Sequence, residues 1–308
     1  MKKINDISDY KIMSISISSL IILFTLIYFR YKPLELFNIS IIDLNNTILI
    51  TYNIISIITS CLLTLLFIIS FWKKNDKDLK IRFKQIGIGI GAMALYFLLP
   101  YLEGVPFVIM GVDTTTLPIW VKVFYLTMYS VLTASLIMII YNKKLSKDFK
   151  DMKKNSIKYF NKYIKYWLIG LFIMMVSNLF INLIVTNDIP SNEQAIRETF
   201  NISPLYIFFS AVIYAPIVEE LIFRQSIKNI FHNKWLFIII SGLLFGSMHV
   251  FGDFKNIADL LYIIPYSTPG IIFAYMLEDS DNICVPMSFH FIHNGILISL
   301  QFILLLFG

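Results

Sequence analysis

The sequence predicts an all-α fold: a polytopic membrane helical bundle of about eight to nine transmembrane helices. Three observations carry this. Hydrophobic residues make up 57% of the 308 positions and charged residues 15%. Apolar runs repeatedly approach the ~20 residues that take a helix across a bilayer, about twice the length of a barrel strand. Lysine and arginine are also divided very unevenly among the connections between those runs.

Nine apolar segments can be drawn, at 12–29, 48–72, 86–101, 119–141, 166–185, 204–223, 235–250, 259–277 and 283–307. The first is too long for a signal-peptide core and lacks a small-residue cleavage site, so it reads as a retained helix. With the N-terminus inside, the inner connections carry 21 lysines and arginines and the outer ones four. That bias predicts a cytoplasmic N-terminus and an outer C-terminus. The protein is expected to be integral to the plasma membrane of a prokaryote. It also accounts for the net charge of +6, so no nucleic-acid partner is expected.

Gly87-Ile88-Gly89-Ile90-Gly91 opens an apolar helix and follows no strand. It is read as small residues for close helix packing, not as a nucleotide loop. Asn142–Lys165 interleaves lysines with Phe149, Tyr159, Phe160 and Tyr163. It is either an amphipathic helix on anionic headgroups or a solvated loop. It also divides the chain. Residues 1–165 hold N-terminal helices of unknown role and the basic segment; residues 166–308 hold all four histidines and every candidate for chemistry. Pro265, Pro269 and Gly270 predict a broken or re-entrant helix near 259–277. Cys61 and Cys284 have neither disulfide nor zinc spacing.

The chemistry centres on Ala215-Pro216-Ile217-Val218-Glu219-Glu220-Leu221-Ile222-Phe223-Arg224-Gln225. Two carboxylates and a guanidinium at membrane depth need a reason, because each costs at least ~2.5–3.5 kcal/mol. Glu220 and Arg224 are four apart and share a helix face, which predicts a structural pair. Glu219 is rotated by about 100° from Glu220 and is the acid left for general-base work. Glu219 and His249 lie at equal distances along two arms from the turn at His232–Lys234, each about 21 Å away if helical. In the last segment His290 and Asn294 share a face, and His293 lies near it. His232 sits in a polar turn and is given no role.

Other hydrolase patterns fail. There is no His-Glu-x-x-His helix. Ser247 is two residues before His249 on one helix and nearly opposite in azimuth. Asp253, Asp279 and Asp281 fall in polar connections, so no intramembrane aspartate pair exists.

Three motifs in order, Glu219-Glu220-x-x-x-Arg224, Phe245-x-x-x-His249 and His290-x-x-x-Asn294, resemble those of the CPBP family of CAAX prenyl endopeptidases and bacteriocin-processing or Abi-type intramembrane proteases. Ala215-Pro216 and Phe223 fit the same pattern, whereas Gln225 stands where glycine is common. The likeness covers about residues 205–300. It implies that Glu219 and His249 activate water, that His290 and Asn294 stabilise the oxyanion, and that Glu220 and Arg224 support the helix. Phe245 and His293 are auxiliary. The implied mechanism is either metal-free or uses zinc on Glu219, His249 and His290. The expected substrate is a membrane-embedded or lipidated peptide in the lipid bilayer, as in CAAX-type, peptide-leader or bacteriocin processing. Two rival functions fit intramembrane Glu and His: a proton-coupled transporter, and a non-catalytic binding or immunity protein of the same fold.

Overall fold

A computed structural model of the chain describes residues 6–31, 45–70, 77–183, 191–251 and 257–307. Asp253 and parts of the first, second, fifth and seventh connections lie outside the described residues. The described residues are helical almost throughout, with no strand. Seven helices are long and apolar enough to cross a membrane, and Ser14–Ile27 forms a shorter apolar helix. The protein is an integral membrane helical bundle.

Two compact units are present: residues 1–122 with 228–233, and residues 123–227 with 234–308. The first contains α1 (Asp6–Tyr28), α2 (Asn46–Ser70), α3 (Lys77–Glu103) and α4 (Val105–Met110). At its polar rim Arg30 donates to Asn53 Oδ1 at 2.8 Å and to the Tyr101 hydroxyl at 2.7 Å. Two of the three glycines at 87–91 do not fit the packing expectation. A Cβ added at Gly87 or Gly91 would meet nothing within 4 Å, so these residues do not mark a close helix contact.

The second unit takes in nearly all of α5 (Ile119–Ile140), then α6 (Asn142–Ile181), α7 (Ser191–Ile202), α8 (Pro204–Ile230, up to Ile227), α9 (Lys234–Phe251), α10 (Ile263–Ser280) and α11 (Cys284–Phe307). The basic connection after α5 is not a loop. It forms the first half of the 40-residue α6, which leaves helical φ/ψ only at Asn155. Asn155 there donates to Asp151 Oδ1 at 2.8 Å, a side-chain bond to the preceding turn.

The expected break near 259–277 is displaced. Residues Ile257–Tyr262 form a 3₁₀ stretch, and α10 then runs without interruption through Pro265 and Pro269. Pro265 falls in the first turn, where amide groups have no intrahelical partner, so only Pro269 removes a ladder bond.

Close packing occurs instead between α9 and α10. A Cβ on Gly242 would lie 2.9 Å from the Ile271 amide nitrogen, and one on Gly246 would lie 2.7 Å from that of Ser267. Glycines four apart let the two backbones touch, as small residues do in membrane bundles.

The turn into α11 is anchored by α6. Asp281 turns the chain at φ 49°. Asp148 Oδ2 accepts the Ile283 amide at 2.8 Å, and Asn282 Nδ2 donates to the Asp148 carbonyl at 2.9 Å. Asn282 Oδ1 in turn caps the Cys284 amide at 2.9 Å. Below the turn, Val285 and Phe289 of α11 pack with Tyr163 and Trp167 of α6 and Phe273 and Met276 of α10. These contacts fix the height and rotation of α11, and so the position of His290.

Candidate active site

The helix that carries the double glutamate is irregular on both sides of it. In α8 a π run at Phe208–Tyr214 leads into one α turn, Ala215–Glu219, and then into a second π run, Glu220–Ser226. Such widened turns are frequent at functional sites. The first one explains Pro216. The Ala215 amide donates to the Ser210 carbonyl, five residues back. In that register the Ala211 carbonyl would look to residue 216, which is proline and has no N–H. Asn294 of α11 fills the vacancy, with Nδ2 donating to the Ala211 carbonyl at 2.7 Å. In the second run, Ser226 Oγ donates to the Leu221 carbonyl at 2.9 Å, and Ser241 Oγ of α9 donates to the Phe223 carbonyl.

Glu220 and Arg224 are both fully buried. Arg224 Nε lies 3.2 Å from Glu220 Oε2, as their spacing predicts. The guanidinium carbon sits 4.4 Å from the Phe245 ring centre and 5.9 Å from that of Phe273. The cation is therefore held by one carboxylate and two aromatic faces; its nitrogens make no hydrogen bond.

The other oxygen of Glu220 makes a link that the sequence did not indicate. Oε1 accepts from His290 Nδ1 at 2.9 Å, with both side chains buried. The opposite ring nitrogen, Nε2, lies 3.7 Å from Glu219 Oε2. Glu219 is the more accessible acid, with 19% of its side chain exposed. The imidazole thus lies between two carboxylates that play unlike parts. The buried one orients the ring and the half-buried one faces its free nitrogen, the arrangement in which a carboxylate fixes a histidine tautomer.

His249 is half-buried on α9. Its Nδ1 donates to the Phe245 carbonyl at 2.9 Å, and its ring stacks on Tyr266 at 5.0 Å. The bond to a carbonyl places the Nδ1 hydrogen and leaves Nε2 as the working nitrogen. Phe245 joins the parts. Its ring lies 4.5 Å from His249 and 6.0 Å from His290, besides covering Arg224.

His293 stands apart from the carboxylates. It packs edge-on against Trp167 at 6.4 Å and Phe273 at 6.2 Å, and its buried Nδ1 has no hydrogen-bond partner. His232, which was given no role, contacts Gln85 at 3.1 Å in the first unit. Glu219, His249 and His290 are suitable zinc donors by type. Among the described residues, however, no three His, Cys, Asp or Glu side chains are gathered as a metal site. They do not form a ready zinc tripod.

The structure therefore brings Glu219, Glu220, Arg224, Phe245 and His290 together, attaches His249 through Phe245, anchors Asn294 on α8 and sets His293 aside. Reasoning from sequence missed the Ala211 carbonyl, Tyr266 and Phe273. Pro216 was the one available signal for the first; nothing in the sequence distinguished the other two.

Residues 201–296 match the family described as type II CAAX prenyl endopeptidase Rce1-like. This region is Rce1-like. The matched span holds every site residue above. Over 113 residues the chain is 32% identical to "Putative membrane peptidase YdiL" of Bacillus subtilis, an alignment that covers 36% of this chain and 43% of YdiL. It is 28% identical over 195 residues to the "Membrane-embedded CAAX protease MroQ" of Staphylococcus aureus, covering 58% of this chain and 74% of MroQ. A protein of Mycoplasma capricolum is 26% identical over 287 residues, covering 86% of this chain and 81% of its own. That last alignment extends over most of the N-terminal unit, beyond the Rce1-like region. No solved structure matches the chain.

Proposed function

We propose that the protein is an intramembrane endopeptidase that hydrolyses a peptide bond in a membrane-embedded or lipidated peptide, with its N-terminus in the cytoplasm of a prokaryotic cell. The observation that carries this reading is His290 held between Glu220 and Glu219, at 2.9 Å and 3.7 Å. The Rce1-like match over the same residues supports it.

In this proposal the reactive water donates one O–H to Glu219 and the other to His290 Nε2, so that an oxygen lone pair faces the substrate. Glu219 takes a proton as that oxygen adds to the carbonyl carbon. With its Nδ1 hydrogen engaged by Glu220, the neutral His290 ring has none at Nε2 for an oxyanion. His290 is therefore better suited to the water than to the oxyanion role implied by the family likeness. Asn294 donates only one amide hydrogen to Ala211, and its second is available to the carbonyl oxygen as that becomes anionic. One such donor is typically worth ~3 kcal/mol. The C–N bond then breaks, and the proton taken by Glu219 passes to the departing nitrogen. His249 Nε2 assists that transfer. The second hydrogen of the water stays on the new carboxylic acid.

The test is purified full-length protein reconstituted in vesicles with membrane-anchored reporter peptides, the products read by mass spectrometry. A cut at one defined bond supports the proposal. Intact peptides accompanied by proton-driven uptake would favour the transporter. Tight peptide binding without cleavage would favour the non-catalytic reading.

A further inference from the structure

α10 carries none of the three motifs, yet it touches both histidines that the site uses. Tyr266 lies against His249 with ring centres 5.0 Å and planes 20° apart. Phe273 lies against His290 at 5.1 Å and 30°. Both are nearly face-to-face contacts. Phe245 meets the same two imidazoles more steeply, at 51° and 81°.

Tyr266 and Phe273 are seven residues apart. On a helix that is two turns, a rise of about 10 Å and a return to within about 20° of the same azimuth. One face of α10 therefore sets a flat ring against each imidazole. The height of that face is fixed by backbone. Gly242 and Gly246 of α9 approach Ile271 and Ser267 so closely that a Cβ would not fit. Such contact resists sliding, and a slide of one residue would move both rings by about 1.5 Å.

A hydrogen bond fixes a ring nitrogen and leaves the ring free to tilt about it. His249 is bonded through Nδ1 to the Phe245 carbonyl, and His290 through Nδ1 to Glu220. A flat ring against each removes the tilt, and with it the wander of Nε2. We propose that Tyr266 and Phe273 are positioning residues, which set the tilt of His249 and His290 and so the direction of each Nε2. The effect on turnover rests on the endopeptidase reading; the effect on the rings does not.

The test has two arms, both on full-length protein. In the first, histidine ring carbons are isotope-labelled, assigned with single variants in detergent micelles, and their motion is read by NMR relaxation. Tyr266→Leu should free the His249 ring and leave His290 ordered. Phe273→Met should free His290; methionine fills the space of this buried ring, and Phe273→Leu replaces it should it not fold. Tyr266→Phe, which keeps the flat face, should leave His249 ordered. In the second arm the variants are assayed on a membrane-anchored peptide. For Tyr266→Leu, kcat per folded enzyme should fall by ~10- to 10²-fold, as for a group displaced by about 1 Å, with KM little changed. Tyr266→Phe should restore it. In His249→Ala, Tyr266→Leu should lower kcat no further, since the ring it positions is gone. Tyr275→Leu is the control: on α10 but packed against Tyr166, it should lower the melting temperature and spare kcat. A histidine ring that moves no more in its variant than in wild type would overturn the assignment at that position. An equal loss of kcat from Tyr266→Leu with and without His249 would reduce Tyr266 to packing. Ring motion as expected in a wild type that cleaves nothing would remove the proposed function and leave the positioning.

Discussion

His290 Nδ1 and Glu220 Oε1 are 2.9 Å apart across 70 residues of sequence, in a place closed to solvent. This bond joins the first motif to the third. Because Glu220 also holds Arg224, a change at any of the three reaches the other two.

Arg224→Ala should leave Glu220 as an unpaired buried charge. Removing one partner of such a pair typically costs ~3–5 kcal/mol. The folded fraction recovered from membranes, and its melting temperature in detergent, should both fall. Arg224→Lys should rescue only in part, since an ammonium lacks the planar group that lies over Phe245 and Phe273. Normal yield and stability in Arg224→Ala would show that the pair is not structural.

Pro216 and Asn294 should behave as a coupled unit. Pro216→Ala returns an N–H that can satisfy the Ala211 carbonyl, removing the reason for Asn294 to bond there. Pro216→Ala and Asn294→Ala should each lower turnover, and the double variant should lose less than the product of the two. A double-mutant cycle on one cleaved peptide measures this, with a coupling of ~0.5–3 kcal/mol expected for residues that share a partner. Strict additivity would break the link.

His293→Ala should keep most turnover. Its ring packs on Trp167 and Phe273, away from the carboxylates, so the change should appear as lost thermal stability. His290→Ala should abolish cleavage in the same assay. The reverse ranking would exchange the two roles.

Gly246→Ala should destabilise α9 against α10. The added methyl would meet the Ser267 amide nitrogen at 2.7 Å and the Ile263 carbonyl oxygen at 2.8 Å. Backbone cannot yield as a side chain can, and overpacking of this kind typically costs ~1–3 kcal/mol. Gly91→Ala, with nothing within 4 Å of the new atom, is the control and should be neutral.

What could be read from the sequence was what is local along a helix. The Glu220–Arg224 contact follows from a spacing of four. Apolar length located the helices. The links between helices were not legible. Nothing at position 220 names His290 as the partner of its second oxygen, and the Asn294 bond depends on a π register that no propensity rule reports. Composition read without context misled at the glycines and left the basic segment open. Segment 142–165 allowed a helix or a loop, and it is the first half of one helix with the span that follows. The glycines at 87 and 91 looked like a packing face, whereas the close approach falls at Gly242 and Gly246.

The central claim is that Glu219 is the base and Glu220 its neighbour's support. It is tested most directly by Glu219→Gln and Glu220→Gln in the full-length protein, compared for folded yield and for cleavage of one membrane-anchored peptide. Glutamine keeps the size of the side chain but cannot take a proton from water. Glu219→Gln should fold as wild type and lose at least ~10²-fold in kcat. Glu220→Gln should lose folded protein as well as activity. Cleavage at the wild-type rate by Glu219→Gln would contradict the account.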